Sequence, residues 1–530
     1  MNSTQQHGHD NPESIMAPDQ LMDRPNPLSI PEILNLVGEH LNHSTLAACL
    51  RTCHFWHDTL LPFLWTSATL WPESTLFPQP SLATVQKHSA HVRELILCYR
   101  NSVDYPGDVL LTCPNLTRLR LSIDEDSSTH QTWSVSEVDA PSLYAFVRRH
   151  CQTLEEISTE LNEDYMVRDR DMVGLMDALV VCPRLTRMVM AHDLVIDNPA
   201  WWVGVFESMC SHLKVVSFLS NTYLAPESTM EVATAQWPNF KGPSRIQDLT
   251  LSRHGRAVYP IHIWILRQCT DLVRLRWTTE CLDHKRMLQD LGNIVRSGRA
   301  CQRLEDLSLR NLDENMRFPT EEFTGLIKWM APLVRLDLRG SSFDASAWES
   351  LRSMPHHLAT LKVLDLSNWL PGRVIHDILC MVPQLTDLKA GVVQDTDIIE
   401  DGRDWVCLGM QRLDVSLHIT ERASHPLILS RLSKLTRLEM IIYHSNWFGE
   451  EKQSSRWTRG TESSLAQLQN LRQMRRIEGT FSNKWGVAEM RWALDNWPLL
   501  ELPLRTDLRK RLERKMEKGG RDVFLSWINS

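Results

Sequence analysis

The sequence predicts an α/β chain. It reads as a curved repeat solenoid, a horseshoe with a parallel β-sheet on its concave face and helices on its convex face, preceded by a small all-α module. Three observations predict this. Leucine or a substitute recurs in the spacing L-x-x-L-x-L, in about thirteen copies at a mean interval of about 30 residues, within the range of stacked-repeat architectures. Stretches with apolar residues at i, i+3 and i+4 precede most of these ladders. Residues 28–65 break the repeat and carry helix signals of their own.

Composition sets the outer bounds. The 530 residues are 42% hydrophobic and 23% charged, which is ordinary globular usage. With 57 basic and 65 acidic residues the net charge is −8, and this disfavours broad nucleic-acid binding. The apolar stretch around Val173–Cys182 falls well short of the roughly 18 residues that a membrane helix needs. Residues 1–27 are expected as a disordered tail, and Met1 to Asp19 lacks the apolar run of a secretory signal. The 12 cysteines lack the tight spacings of a disulfide scaffold and read as reduced thiols of a cytoplasmic or nuclear protein.

The first ordered element is expected at residues 28–66. Ser29-Ile30-Pro31-Glu32 has the S-x-x-E form of a capping box with proline inside the first turn, so a helix should start here. Ile33, Leu34, Val37 and Leu41 fall on one face. A second amphipathic stretch runs from Ser44 through Leu46, Leu50, Cys53, Trp56 and Leu60, and the segment closes at Leu64-Trp65. Three short helices in about 40 residues make a small core, and apolar surface should remain for a partner. In order and spacing, Ile30-Pro31-Glu32-Ile33-Leu34, Val37, Leu41, Leu46, Cys53, Trp56 and Leu64-Trp65 resemble an F-box. Ile30 stands where the family usually has leucine, Thr52 where valine is common, and His54-Phe55 replace a basic pair. The resemblance implies docking onto the Skp-type adaptor of a cullin–RING (SCF) ubiquitin ligase. Ile30 and Pro31 would touch the adaptor, and Ile33, Leu34, Leu46 and Trp56 would divide between that contact and the module's own core. The alternative is a cap whose apolar residues all pack inward.

Residues 67–88, with Pro72, Pro78 and Pro80, are expected as a linker, and residues 89–480 as the solenoid. The clearest ladders are Leu116-Leu119-Leu121, Leu304-Leu307-Leu309, Leu333-Leu336-Leu338 and Leu361-Leu364-Leu366. Residues two apart in a strand face the same way, so the last two leucines of each ladder point into one core. Helices are expected at Asp171–Val181, Tyr259–Gln268, Glu322–Met330 and Val374–Met381. One unit is thus a helix, a turn and a short parallel strand, and only stacked neighbours bury its apolar face. Cys113, Cys151, Cys182, Cys210, Cys269 and Cys301 sit just ahead of ladders. Without Cys-x-x-Cys pairs or histidine clusters beside them, they read as small hydrophobes closing the turn. This Cys-x-x-Leu-x-x-Leu-x-Leu pattern resembles the cysteine-containing leucine-rich repeats, a class common in substrate receptors of ubiquitin ligases.

Residues flanking the fourth ladder position point away from the core. They include Arg118, Arg120, Arg187, Arg274 and Arg276 in the early units and Asp337, Asp365 and Asp387 in the middle ones. Two readings stand together: ordinary exposed polar residues, or a target-binding wall. In the second, the arginines would meet an acidic or phosphorylated segment, and the aspartates would select a basic one. Long interruptions at Asp124–Pro141, Thr222–Lys241 and Tyr443–Ser463, the last with Trp447, Phe448 and Trp457, read as loops. Residues 481–530 are expected as a helical cap: Trp485, Met490, Trp492, Leu494 and Trp497 form an amphipathic stretch, and Arg505–Arg521 a mixed-charge, solvated helix face.

No catalytic signature appears, and there is little glycine for phosphate-cradling loops. His40, His43, His54 and His57 lie near Cys49 and Cys53, but those cysteines have the i, i+4 spacing of packing residues on one helix. No metal or other cofactor is expected. The expectation is a non-catalytic substrate-recognition subunit that binds the adaptor through the module and a protein target through the solenoid, with no nucleic acid and no membrane among its partners. The alternative is a protein-interaction scaffold with no ligase attached.

Overall fold

The structure, a computed structural model, describes residues 26–70, 82–99, 112–123, 140–160, 166–191, 193–196, 199–219, 222–224, 242–252, 259–279, 284–311, 319–341, 343–366, 370–418, 424–443, 466–479, 487–501 and 509–510. Residues 1–25 of the expected tail, Pro72, Pro78 and Pro80, the acidic loop at 124–139, Trp447, Phe448, Trp457, Trp485 and the chain from 511 onward lie outside the described residues. The fold divides into two compact units, Met1–Arg120 and Leu121–Ser530.

In the first unit, helix α1 (Pro31–Gly38) begins where a helix is expected, but not through a capping box. Its N-cap is Ile30, without a side-chain cap. Ser29 closes a 3-10 turn, Pro27–Ser29, and its hydroxyl donates to the Asn26 carbonyl at 2.7 Å. A residue inside that turn lacks the extended backbone of an N-cap, and this is why the box does not form. Helix α2 (His43–Cys49) is capped by Asn42, whose Oδ1 accepts from the Thr45 amide at 2.9 Å.

The stretch from Ser44 to Leu60 is not one helix. Helix α3 (His54–Leu64) starts after an extended Cys53, so Cys49 and Cys53 do not share a helix as their spacing suggests. The break has a packing reason. On a continuous helix Leu46 and Leu60 would stand about 20 Å apart at 1.5 Å per residue. Folded back, both close with Leu34 into a single core, against which Leu41, Cys49, Leu50, Trp56, Phe63 and Leu64 pack. The unit continues through β1 (Ser67–Leu70), α4 (Leu82–Lys87), β2 (Glu94–Tyr99) and β3 (Arg118–Ile123), the strand in which the division between units falls. Strands β1 and β2 are parallel, with Ser67 opposite Glu94, so the first strand lies inside the stretch expected as a linker.

The second unit alternates helices and strands. It opens with α5 (Ala140–His150), β4 (Glu156–Glu160), β5 (Met166–Arg168), α6 (Asp169–Val180), β6 (Arg187–Met190), β7 (Asp193–Ile196), α7 (Pro199–Cys210), β8 (Val215–Phe218) and β9 (Thr222–Leu224). It continues with β10 (Asp248–Leu251), α8 (Tyr259–Gln268), β11 (Arg274–Thr279), α9 (His284–Arg296), β12 (Asp306–Asn311), α10 (Thr320–Ile327) and β13 (Arg335–Asp337). Then come α11 (Ala345–Arg352), α12 (Pro355–Leu358), β14 (Val363–Asp365), α13 (Gly372–Met381), β15 (Asp387–Gln394) and α14 (Asp395–Asp401). The last described elements are β16 (Arg412–His418), α15 (His425–Ser433), β17 (Met440–Tyr443), β18 (Arg476–Gly479) and α16 (Val487–Asn496).

Twelve of these strands are hydrogen-bonded side by side in the order β4-β6-β8 and then β10 through β18. Each lies parallel to its neighbours. Parallel neighbours need a crossover, usually a helix, and the helices between ladders supply most of them. The register is fixed by leucine. Ile157, Met188, Val216, Leu249, Leu275, Leu307, Leu336, Leu364, Leu388 and Leu413 stand opposite one another in unbroken succession. All are at most 1% exposed. A slip of one residue in any strand would turn its apolar set outward, so this column locks the repeat. Strand β15 carries a bulge between Lys389 and Val392 and regains register beyond it.

Three features differ from expectation or go beyond it. Strands β5, β7 and β9 form a second parallel sheet, and β9 occupies the start of the segment expected as a loop from Thr222. Tyr443 likewise ends a strand, and Pro141 lies in helix α5. Of the cysteines ahead of the ladders, Cys113, Cys182, Cys210, Cys269 and Cys301 are buried and Cys151 is half-buried, and burial pushes the Cys113 thiol up to about 11 and those of Cys182 and Cys301 to about 12. Cys182 and Cys269 donate to carbonyls one helical turn back, closing the helix end ahead of the ladder. Among the described residues no helix is long and apolar enough to cross a membrane.

Candidate functional site

The helical module gives its candidate residues different surroundings. Leu34 and Leu46 are fully inside and form the core with Leu60. Trp56 packs half-buried against that core. Ile30 and Ile33 are half-buried, and Pro31 is exposed at the head of α1. Three apolar side chains outside the candidate set are also exposed: Leu28, Phe55 and above all Leu36, at 60%. Leu36 escaped the sequence reading because it lies off the apolar stripe of α1, and off-stripe position is itself the signal for an outward leucine.

On the large sheet, the side chains opposite the leucine column form rows of charge. Arg187 Nε lies 3.1 Å from Glu156, Arg274 Nε 3.0 Å from Asp248, and Arg335 Nε 3.3 Å from Asp306. In each pair the Cα atoms are register partners on adjacent strands, and acid and base alternate along the row from Asp248 to Arg335, with Val215 between Arg187 and Asp248. In the first unit, Arg118 and Arg120 both approach Glu94, at 3.9 and 3.6 Å. The early positions are therefore compensated rather than simply basic. Arg276, exposed, forms no ion pair with any described residue.

The middle strands hold a denser cluster. Asp337 is buried and accepts from Ser308 Oγ at 3.1 Å, Arg310 Nη2 at 2.8 Å and Arg339 Nη2 at 2.9 Å. Arg339 Nε also lies 3.0 Å from Asp365, and Lys389 Nζ 3.6 Å from Asp414. Burial, then the neighbouring Asp337, pushes the Asp365 carboxyl up to about 7, against the pull of Lys389 and Arg310. Burial also raises Asp306 and Asp387, opposed first by Arg335 and Arg412 respectively. Glu94, Glu156 and Asp248, the partners missing from the sequence reading, sit at the same ladder offset as Arg118, Arg187 and Arg274 respectively. Arg310 and Arg339 lie two residues beyond the ladder positions that were read.

A second polar cluster lies among the helices. His376 is fully buried; its Nδ1 is 3.4 Å from Asp401, and its Nε2 accepts from Arg431 Nη1 at 3.0 Å. Cys380 Sγ lies 3.5 Å from the same Nε2. Cysteine, histidine and aspartate in this order suggest a nucleophile with its base and orienter. Three features argue otherwise. The Arg431 guanidinium already occupies the basic nitrogen, burial keeps the Cys380 thiol protonated by pushing it up to about 11, and the imidazole has no exposure. Burial, then Arg431, lowers His376 itself. Asp377 accepts from Trp348 Nε1 and Arg403 Nη2, both at 2.6 Å, and hydrogen bonds from Arg403 hold Asp401 down to about 2. The network ties α11, α13, α14 and α15 together, a fastening role. Among the described residues no group of three or more His, Cys, Asp or Glu side chains is arranged to hold a metal ion.

No family model matches the chain, and no curated protein matches it.

Proposed function

We propose that this chain is the substrate-recognition subunit of an SCF-type cullin–RING ubiquitin ligase. In this reading residues 28–66 act as an F-box on a Skp-type adaptor, and the leucine-rich repeats present a protein target. The observation that carries it is the head of α1. Pro31 is exposed, Ile30 and Ile33 are half covered, and Leu36 stands open, while the module's own core is complete with Leu34, Leu46 and Leu60. An apolar surface left over by a closed core calls for a partner. Catalysis would belong to other subunits. This chain would contribute positioning, raising the effective concentration of target lysines at a reactive thioester.

The test is recovery of a Skp-type adaptor with the full chain, wild type against Ile30→Ala/Pro31→Ala. A buried apolar anchor lost from an interface costs about 2 kcal/mol or more, roughly thirtyfold in affinity, so the variant should lose the adaptor on washing. Equal recovery from both would refute the docking assignment. The inward placement of Leu34 and Leu46 favours the second reading, a protein-interaction scaffold without a ligase. That reading predicts no adaptor with either protein.

A further inference from the structure

The ion pairs on the large sheet are layered. From Glu156 to Asp414, the carboxylates of these pairs are 7–28% exposed, whereas their arginine and lysine partners are 38–50% exposed. The acids lie against the sheet and the cations stand over them. The orientation recurs as well: Arg187, Arg274 and Arg335 make their closest approach through Nε, which leaves the two Nη groups at the outer end of the fork. On the neighbouring strands β11, β12 and β13 and two residues past the last of them, Arg274, Arg276, Arg310, Arg335 and Arg339 stand together in this outer layer. Strands of a sheet are about 4.8 Å apart, so these five guanidinium groups form one patch.

We infer that this arginine layer is a docking surface for an acidic protein segment, whose carboxylates take the guanidinium donors left free at the outer end while Asp248, Asp306, Asp337 and Asp365 hold Arg274, Arg310, Arg335 and Arg339 in place from below. The aspartates are then positioning residues rather than the readers of a basic target. A carboxylate matches a guanidinium fork geometrically and gains a charge-assisted bond. Nucleic acid is the poorer fit. The aromatic ring of β11, Trp277, is turned inward and fully buried, unavailable for base stacking. This names a class of target for the receptor proposed above and rests on that reading for its consequence in the cell.

The test is fluorescence anisotropy on the full chain with a labelled Glu-Gly repeat peptide, its Gln-Gly and Lys-Gly counterparts, and a labelled poly-uridine strand. The Glu-Gly peptide should bind best, and added salt should weaken it. Arg276, with no ion pair to break, is the safe position: Arg276→Glu should weaken binding on the order of tenfold, the size of one charge-assisted hydrogen bond. Arg267→Gln, at the end of helix α8, should leave binding unchanged. Binding of Lys-Gly or poly-uridine more tightly than Glu-Gly, no binding of Glu-Gly, or equal loss in the Arg267 variant would each overturn the assignment. The Ile30→Ala/Pro31→Ala chain should bind the Glu-Gly peptide like the wild type, so failure at the adaptor and failure at this surface are separate results.

Discussion

Within residues 26–70 no polar or charged side chain is buried, and Leu36 and Phe55 remain exposed around a core of three leucines. Residues 304–435 show the reverse: the leucines of every ladder are buried, and so are Asp337, Asp377, Asp414, His376 and Arg431. The difference follows from geometry. A module of three short helices has more apolar side chains than interior, so some stay outside. A stack of repeats shares each apolar face with two neighbours and has interior to spare, enough to cover charges provided each finds a partner. The first arrangement suits docking through apolar surface, and the second suits a face whose chemistry is set by which member of each ion pair stands outermost.

Truncating the leucine column should give the largest effect. Leu364 stands in register between Leu336 and Leu388, fully buried. Leu364→Ala should cost about 3 kcal/mol or more in denaturant unfolding, the sum of lost transfer energy and an unfilled cavity. Because neighbouring repeats stabilise each other, hydrogen exchange should quicken in β13 and β15 as well as β14. A loss confined to β14 would mean that the repeats are not coupled. Leu46→Ala should cost about 2 kcal/mol, since half-buried neighbours such as Leu50 and Phe63 can settle into the space. Exchange should then quicken through α1 to α3 and stay unchanged from β12 to β16. Equal loss in both regions would remove the contrast drawn between them.

The repeat was legible in the sequence because it is written many times over. Each L-x-x-L-x-L states the same strand, and helices expected at Tyr259–Gln268 and Val374–Met381 differ from those found by no more than two residues. The module was legible as helices but not in its breaks. Ser29 and Glu32 have the right spacing for a box, and only the backbone of the preceding turn excludes it. The small sheet of β5, β7 and β9 was illegible, since its three-residue and four-residue strands are too short to show alternation. At the sheet face the charges were readable one by one. Their layering was not, because burial of Asp337 and exposure of Arg310 depend on which of two side chains lies nearer the backbone of an adjacent strand.

The smallest expected effect tests that layering directly. Asp365 is pushed up to about 7, first by burial and then by Asp337, with Lys389 and Arg310 opposing. In the unfolded chain an aspartate titrates near its ordinary value of about 3.9. Between these values the folded chain holds a proton that the unfolded chain has released, so this group's contribution to stability falls as pH rises from about 4 to about 7 and is level above that. Asp365→Asn mimics the protonated side chain. Its advantage over the wild type in thermal midpoint should widen from pH 6 to pH 8 by the equivalent of about 1 kcal/mol, the worth of the one unit between pH 6 and the folded value. The reverse, an Asn variant weaker at pH 8, would mean that the ion pair with Arg339 at 3.0 Å outweighs burial. Asp365 would then be a fully charged partner in the row, and burial would not explain why the acids lie beneath the arginines.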